Sequence, residues 1–174
     1  ALRDAASQAD LIVTTGGVSV GEEDHLKPAA RAEGELDDWQ IAMKPGKPLA
    51  FGRIRRADGS AALLLGLPGN PVSAYVTWLL AVNTVLRTLQ GLPAGLPAGL
   101  RLRAAFDWPK PDKRREFLRV RVNADGDLEL FANQSSGVLT SAVWADGLVD
   151  NPPAQPIARG DLVRFLPLSE LVAR

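Results

Sequence analysis

The chain has 174 residues, and its 20 Lys and Arg residues are balanced by 20 Asp and Glu residues, so the formal net charge at pH 7 is zero. This balance gives no general attraction to nucleic acid or to an anionic membrane, and we expect neither as a partner. The chain has no Cys and a single His. Disulfides, thiolate zinc sites and metal sites built from several histidines are therefore excluded, and we expect a cytoplasmic protein.

The first segments in chain order have the pattern of an α/β unit. Residues 1–10 resemble the end of a helix that leads into a short apolar strand at about residues 10–15. A wholly apolar strand predicts burial on both faces, as in a parallel sheet covered by helices. Helix-compatible residues follow at 22–33, and then strand-like segments lie on both sides of the turn Lys44–Pro48.

A second apolar strand is predicted at Ala61–Leu67, and one long helix is predicted from Val72 to about Gln90. Asn70 suits the N-cap of that helix, and Pro71 suits its first position. Gly91 is a plausible stop at its C-terminal end. The order of strands and helices predicts that residues 1–91 form an α/β domain.

The repeat GLPAGLPAGL separates this unit from a second one, and we assign residues 92–99 to a linker. Short β-compatible segments follow at 100–106, 115–122, 127–132 and 161–167, and Asp125-Gly126 marks a hairpin turn. Residues 100–174 are therefore predicted to be a small all-β domain, a barrel or a sandwich, that shares no sheet with the first unit. Alternation would put Arg115, Phe117 and Arg119 on one strand face, which we expect to be solvated.

Three motifs carry the chemistry of the first unit. The first is TTGGVSVGEEDH at residues 14–25, a glycine-rich turn after a strand, followed by three acids and the single histidine. Such a turn presents backbone N–H groups to an anion. Asp24 could hold a hard cation such as Mg²⁺ beside that anion. The acids could equally do no more than stabilise the start of a helix.

The second motif is Lys44-Pro45-Gly46-Lys47-Pro48, in which two prolines hold two ammonium groups on one short arch. It predicts an electrostatic contact with phosphate or another oxyanion, and the alternative is an exposed turn with solvated lysines. The third is GLPGNPVS at residues 66–73, again a glycine turn between a strand and a helix. Ligands of open α/β sheets lie beyond the carboxyl ends of strands, so we expect all three motifs to line one cleft.

Together these motifs resemble the molybdopterin molybdenumtransferases, the MoeA and gephyrin E-domain family. The similarity rests on TTGGVSVGEEDHLK, MKPGKPLAFG and GLPGNPVSA in this order and spacing. It implies a partial, three-layer α/β domain of the MogA-like type followed by a small β-barrel domain. It also implies a fragment of a longer enzyme, which would be a homodimer at full length and which inserts molybdate into adenylylated molybdopterin with release of AMP.

The resemblance assigns roles to single residues. It implies that Asp24 is the catalytic acid and the ligand of Mg²⁺ or another divalent cation, whereas His25 stands where the family commonly has Tyr. The implied substrate-binding residues are Gly16, Gly17, Ser19, Gly21, Glu22, Lys44, Lys47, Pro68, Gly69, Asn70, Ser73, Arg114 and Ser136. Two alternatives stay open: a MogA-type molybdopterin adenylyltransferase, and a non-catalytic, peptide-binding scaffold module of the gephyrin type.

Overall fold

The structure, a computed structural model, describes residues 1–17 and 25–172, apart from the side chain of Asp38. The α/β unit contains, in chain order, α1 (Leu2–Gln8), β1 (Leu11–Thr15), α2 (Leu26–Glu33), β2 (Gly34–Gln40), β3 (Met43–Lys44), β4 (Pro48–Arg55), β5 (Ala61–Leu67), α3 (Pro71–Thr77), a π-helical turn (Trp78–Val82) and α4 (Asn83–Leu89). The predicted bounds of β5 and the start of α3 at Pro71 are confirmed.

A four-stranded sheet with the order β1-β5-β4-β2 forms the middle layer of this unit. β1 and β5 are parallel, whereas β4 and β2 are antiparallel to their neighbours. Ala6 of α1 and Ala30 of α2 pack with Leu64 on one face, and Val82 of the π turn packs with Leu65 on the other. Since neighbouring residues of a strand point to opposite faces, β5 contributes to both cores of an α/β/α arrangement.

The prediction that the first strand is buried on both faces is wrong. Ile12 is buried, but Val13 keeps 39% of its side-chain surface exposed. The cause is the position of β1 at the end of the strand order, where Val13 lies outside the cores that cover β5.

The long helix runs from Pro71 to Leu89 with the π turn in its middle, where the N–H of Asn83 donates to the carbonyl of Trp78. Gly91 ends it as predicted, with φ of 74°. The N–H groups of Gly91 and Leu92 donate to the carbonyls of Thr88 and Arg87 at 3.0 and 2.9 Å, which is the Schellman arrangement.

By length and hydropathy this helix also meets the minimum for a membrane span. This is weak evidence, since Val72, Val76, Leu79 and Val82 are buried in the protein core, and core helices pass the same test.

The second unit is rich in β structure. It contains β6 (Leu100–Arg103), β7 (Arg115–Val122), β8 (Leu128–Leu130), α5 (Thr140–Trp144), β9 (Gly147–Asn151), β10 (Leu162–Pro167) and α6 (Leu168–Val172). The strand order is β7-β9-β10-β6, with β8 on the other side of β7. An isolated β-bridge between Ala104 and Leu128 links the residue after β6 to β8. The strands therefore surround one apolar core, with β8 next to both β7 and the end of β6. β9 and the two short helices were not predicted.

The two units are joined by a strand pair and by a common core. β3 pairs in parallel with the start of β7, with Met43 opposite Arg115 and Lys44 opposite Glu116. The expectation that the units share no sheet is therefore wrong at this place. Buried side chains of the long helix, Val72, Val76 and Leu79, pack with Phe117, Leu148 and Leu166 of the β-rich unit.

The expectation of a solvated face on β7 is also wrong. Leu118 and Val120 point into the core of the β-rich unit, and Phe117 belongs to the shared core. Arg119 is 1% exposed, and only Arg115 and Arg121, near the two ends of the strand, reach solvent on that face. The alternation is as predicted, but the core of the β-rich unit covers one face and packing against the long helix covers Phe117 on the other.

Candidate functional site

A cleft of about 630 Å³ lies between the two units. Three chain segments line it: the arch at residues 44–48, the turn and helix start at 68–73, and Arg114 with the loop 134–136. Of the predicted substrate-binding residues it contains Lys44, Lys47, Pro68, Gly69, Asn70, Ser73, Arg114 and Ser136. Gln134 and Ser135 also line it, and neither was among the predicted site residues.

The arch is closed by its own backbone and is pressed against the long helix. The N–H of Ile41 donates to the carbonyl of Lys47 at 2.8 Å. Gly46 has φ of 100°, and a Cβ there would lie 2.9 Å from the Thr77 hydroxyl. Both the backbone angle and this close approach require glycine. The arch therefore holds Lys44 and Lys47 in a fixed relation to the helix.

The two glycine turns lie side by side, because β1 and β5 are parallel neighbours. The N–H of Gly16 donates to the carbonyl of Leu67 at 3.0 Å. A Cβ on Gly69 would lie 3.7 Å from the Cα of Gly16. Gly16 and Gly17 both have positive φ, 79° and 71°. The first turn thus adjoins the cleft through Gly69, although neither of its two described glycines lines the cleft.

The helix start in the cleft is capped by the other unit. Asn70 occupies the N-cap position as predicted, but its side chain makes no cap hydrogen bond. Its amide donates instead to the Ser136 hydroxyl at 3.2 Å, and the N–H of Val72 donates to the Ser136 carbonyl at 3.0 Å. The loop around Ser136, to which the sequence alone gave no significance, therefore satisfies a free N–H of the first helical turn.

Gln134 fixes the same loop to β7. Its amide nitrogen donates to the carbonyls of Arg119 and Phe131 at 3.0 and 2.9 Å, and its amide oxygen accepts the N–H of Arg119 at 3.0 Å. The buried guanidinium of Arg119 donates to the Ser135 carbonyl at 3.4 Å. Burial lowers the pKa of Arg119 to about 10. Arg119 thus supports the cleft wall from behind.

Two of the three cationic side chains in the cleft lining contact carboxylates. The Arg114 guanidinium donates to both oxygens of Asp112 at 3.0 and 2.9 Å. These bonds, with the Arg114 N–H and the charge of Lys44, hold the pKa of Asp112 well below its usual range. Lys44 Nζ lies 3.6 Å from Asp112 and 3.6 Å from Glu116. Lys47 is exposed, and no acid among the described residues lies within salt-bridge distance of it.

Four predicted site residues, Ser19, Gly21, Glu22 and Asp24, lie outside the described residues. His25 is exposed and occupies the position before α2, without a side-chain cap hydrogen bond.

The described part of the chain contains no group of three or more His, Asp or Glu residues that could hold a metal ion. Asp112 and Glu116 lie next to cleft residues, but they contact Arg114 and Lys44. The described cleft residues therefore do not fit a divalent cation, and the metal prediction rests on Asp24 alone.

An α/β/α unit with two adjoining glycine turns and a lysine arch, joined to a β-rich unit that completes the cleft, defines a two-domain protein with a cationic, donor-rich cleft between its domains. Residues 1–88 match the family described as "Probable molybdopterin binding domain", and residues 101–168 match the "MoeA C-terminal region (domain IV)". The chain belongs to the molybdopterin-binding family and carries the MoeA C-terminal region after it.

Individual relatives agree with this assignment. The chain is 51% identical over 129 residues to a molybdopterin molybdenumtransferase of Haemophilus influenzae, covering 72% of the chain and 31% of the relative. It is 33% identical over 154 residues to one of Nostoc, covering 85% of the chain and 35% of the relative. The chain thus spans about a third of the length of these relatives.

A crystal structure of a molybdopterin biosynthesis MoeA protein from Pyrococcus horikosii matches with a TM-score of 0.72 and 26% identity, over 92% of this chain and 38% of that one. The expected fold, a layered α/β domain followed by a β-rich domain, is confirmed.

Proposed function

We propose that this chain forms the substrate cleft of a molybdopterin molybdenumtransferase, which inserts molybdate into adenylylated molybdopterin and releases AMP. Relatives of that name, and matches to both a molybdopterin-binding domain and a MoeA C-terminal region, support the proposal. We also propose a cytoplasmic location and a homodimer for the complete protein.

The observation that carries the proposal is the composition of the cleft. Its lining combines ammonium and guanidinium groups with amide and hydroxyl donors from both units. A nucleotide phosphate and a molybdate ion both present several oxyanion acceptors, which such donors suit. A volume of about 630 Å³ is within the range of cofactor-sized ligand sites.

In this proposal Lys47 is the main cationic contact for the anion, because no acidic side chain among the described residues lies within salt-bridge distance of it. Asn70, Ser73 and Ser136 add neutral donors beside it. The P–O bond of the anhydride between adenylate and pterin phosphate breaks as an oxygen of water or of molybdate forms a new P–O bond to the pterin phosphorus, and AMP leaves with the electron pair and the additional negative charge. Preorganised donors at the phosphate stabilise that charge as it develops.

The divalent cation and the catalytic acid stay predictions on Asp24. Mg²⁺ prefers one or two carboxylates together with ligand oxygens, and it would neutralise phosphate charge when bound. The described cleft residues offer no free carboxylate, so no step is derived through the metal.

The test is release of AMP by the complete protein from adenylylated molybdopterin and molybdate. Lys47→Ala should weaken substrate binding about ten-fold, since a hydrogen bond to a charged group contributes about 1.5 kcal/mol or more. Lys110→Ala is the matched control, because Lys110 is also an exposed lysine but lies outside the cleft lining. Equal binding by Lys47→Ala and wild type would remove Lys47 from the site.

The same assay separates the alternatives. An adenylyltransferase would consume ATP and form the adenylylated pterin instead of releasing AMP from it. A scaffold module would bind neither nucleotide nor molybdate in the cleft. Either result would overturn the proposed function.

A further inference from the structure

Glu116 is a buried carboxylate directly behind the cleft. It is 1% exposed, and its Oε2 accepts the Trp108 indole N–H at 2.8 Å and the Asp112 N–H at 3.0 Å. Its Oε1 is buried and has no hydrogen-bond partner among the described residues. A buried carboxylate oxygen without a hydrogen bond is costly, so a compensating charge nearby is needed.

That charge is the ammonium group of Lys44, 3.6 Å from Glu116 Oε1. The two residues are direct partners in the register of β3 with β7, so the contact crosses the boundary between the units. Asp112 approaches the same ammonium group from a second side, also at 3.6 Å. Lys44 is therefore held at one place by two carboxylates, although 45% of its side chain is exposed.

The same pair of acids reduces the charge that a ligand meets. Asp112 and Glu116 offset the charges of Lys44 and Arg114. Of the described charged side chains in and directly behind the cleft lining, this leaves exposed Lys47 and buried Arg119 without a carboxylate partner. A cleft designed only for tight binding of anions would not place two carboxylates behind its cations. The position of Asp112 and Glu116 behind the cations is therefore not explained by affinity of the cleft for anions.

We propose that the Asp112–Glu116 pair positions Lys44 and Arg114 for the reaction while it lowers the affinity of the cleft for anions, with Glu116 as the positioning residue for Lys44. The inference rests on the proposed function. Interactions that bind the ground state as tightly as the transition state do not raise turnover. Holding the cations in place while limiting their net attraction favours turnover and release of the anionic product.

The proposal predicts that affinity and turnover change in opposite directions in Glu116→Gln. Loss of one negative charge directly behind the cleft should tighten binding of inorganic molybdate about five-fold, for an effective dielectric constant between protein and water. Lys44 then keeps Asp112 but loses Glu116 as a carboxylate partner and is held less firmly in the reactive geometry, so turnover should fall about ten-fold. The gain in molybdate affinity of Glu116→Gln over wild type should become smaller as ionic strength rises.

The experiment measures molybdate binding by calorimetry and AMP release by the complete protein. Glu129→Gln is the control, because Glu129 also pairs with a cationic side chain, that of Arg121, but on the exposed hairpin away from the cleft. It changes the net charge equally and should alter neither readout. Asp112→Asn, at a side chain that is 20% exposed, repeats the test at a less buried position and should also tighten binding while slowing turnover.

Weaker or unchanged molybdate binding in both folded variants, or affinity and turnover falling together, would overturn the inference and leave Glu116 as a structural residue. An active wild-type protein with that result would leave the proposed function intact. A wild-type protein that binds molybdate but releases no AMP would instead overturn the proposed function.

Discussion

Asp112 is the residue at which the charge arrangement of the cleft can be measured most directly. Its carboxylate accepts two side-chain hydrogen bonds from Arg114 and one from the Arg114 backbone N–H. These bonds favour the ionised form and lower its pKa from the ordinary value of 3.8. A carboxyl whose pKa is lower in the folded than in the unfolded protein stabilises the fold above the unfolded value and loses that contribution as pH falls.

We therefore expect Asp112→Asn to be less stable than wild type at pH 7. The difference in free energy of unfolding between the two proteins, here called the gap, should narrow as the pH falls below about 4. Urea unfolding at pH 7 and pH 3 measures the gap. Asp125→Asn, at the exposed tip of the hairpin, should show little gap at either pH. A gap for Asp112→Asn that is the same at both pH values would contradict the assignment of the shift to Arg114.

At the scale of secondary-structure elements, local sequence signals predicted the bounds of elements better than the hydrophobic pattern predicted which strand faces are buried. The bounds of β5, the start of the long helix at Pro71 and its end before Gly91 follow from apolar composition and from the fixed backbone preferences of Pro and Gly. The lysine arch was also visible, since two prolines and a glycine define it locally.

β9 was not predicted, because side chains that stabilise it come from residues distant in the sequence. Asp150 and Asn151 are polar, yet they are only 3% and 2% exposed. Asp150 accepts hydrogen bonds from Arg115, 35 residues before it, and from Arg164, 14 residues after it. Glu116 was missed for the same reason, since its partners Lys44 and Trp108 are not adjacent to it in the chain.

This explanation predicts that Asp150→Ala destabilises the protein by about 3 kcal/mol, because it leaves two partly buried guanidinium groups without their carboxylate. Glu129→Ala is the comparison, since it breaks the exposed pair with Arg121 and should cost at most about 1 kcal/mol. Urea unfolding of wild type and of both variants measures these two losses of unfolding free energy. Similar losses for both variants would show that Asp150 is not what holds β9 in the sheet.

At the scale of the whole molecule, the linker is not what keeps the two units together. Residues 92–99 form neither helix nor strand and are mostly exposed. The contacts that join the units are the β3–β7 pair, the Ser136 cap on the long helix and the core around Phe117. Because the cleft is lined from both sides of this junction, it exists only while the junction is intact.

We expect a protein cut between Ala94 and Gly95, at an inserted protease site, to elute as one complex in size-exclusion chromatography. Phe117→Ala should make the cut protein separate, because removal of a buried Phe side chain costs about 3–5 kcal/mol. Val143→Ala, at a side chain that is 84% exposed, should leave the cut complex together. Separation of the cut wild-type protein would show that the linker carries the association.

The π turn at Trp78–Val82 has a consequence for how this junction can vary. A π turn holds more residues than an α turn, so it behaves as a one-residue insertion absorbed within the helix. The helix before it packs on Phe117 and Leu148, and the helix after it packs on the sheet through Val85 and Leu86. The extra residue of the π turn therefore lets the α3 end fit its side chains mainly to the β-rich unit while the α4 end fits Val85 and Leu86 to the sheet, and Ala74 and Asn83 each add a contact to the opposite side.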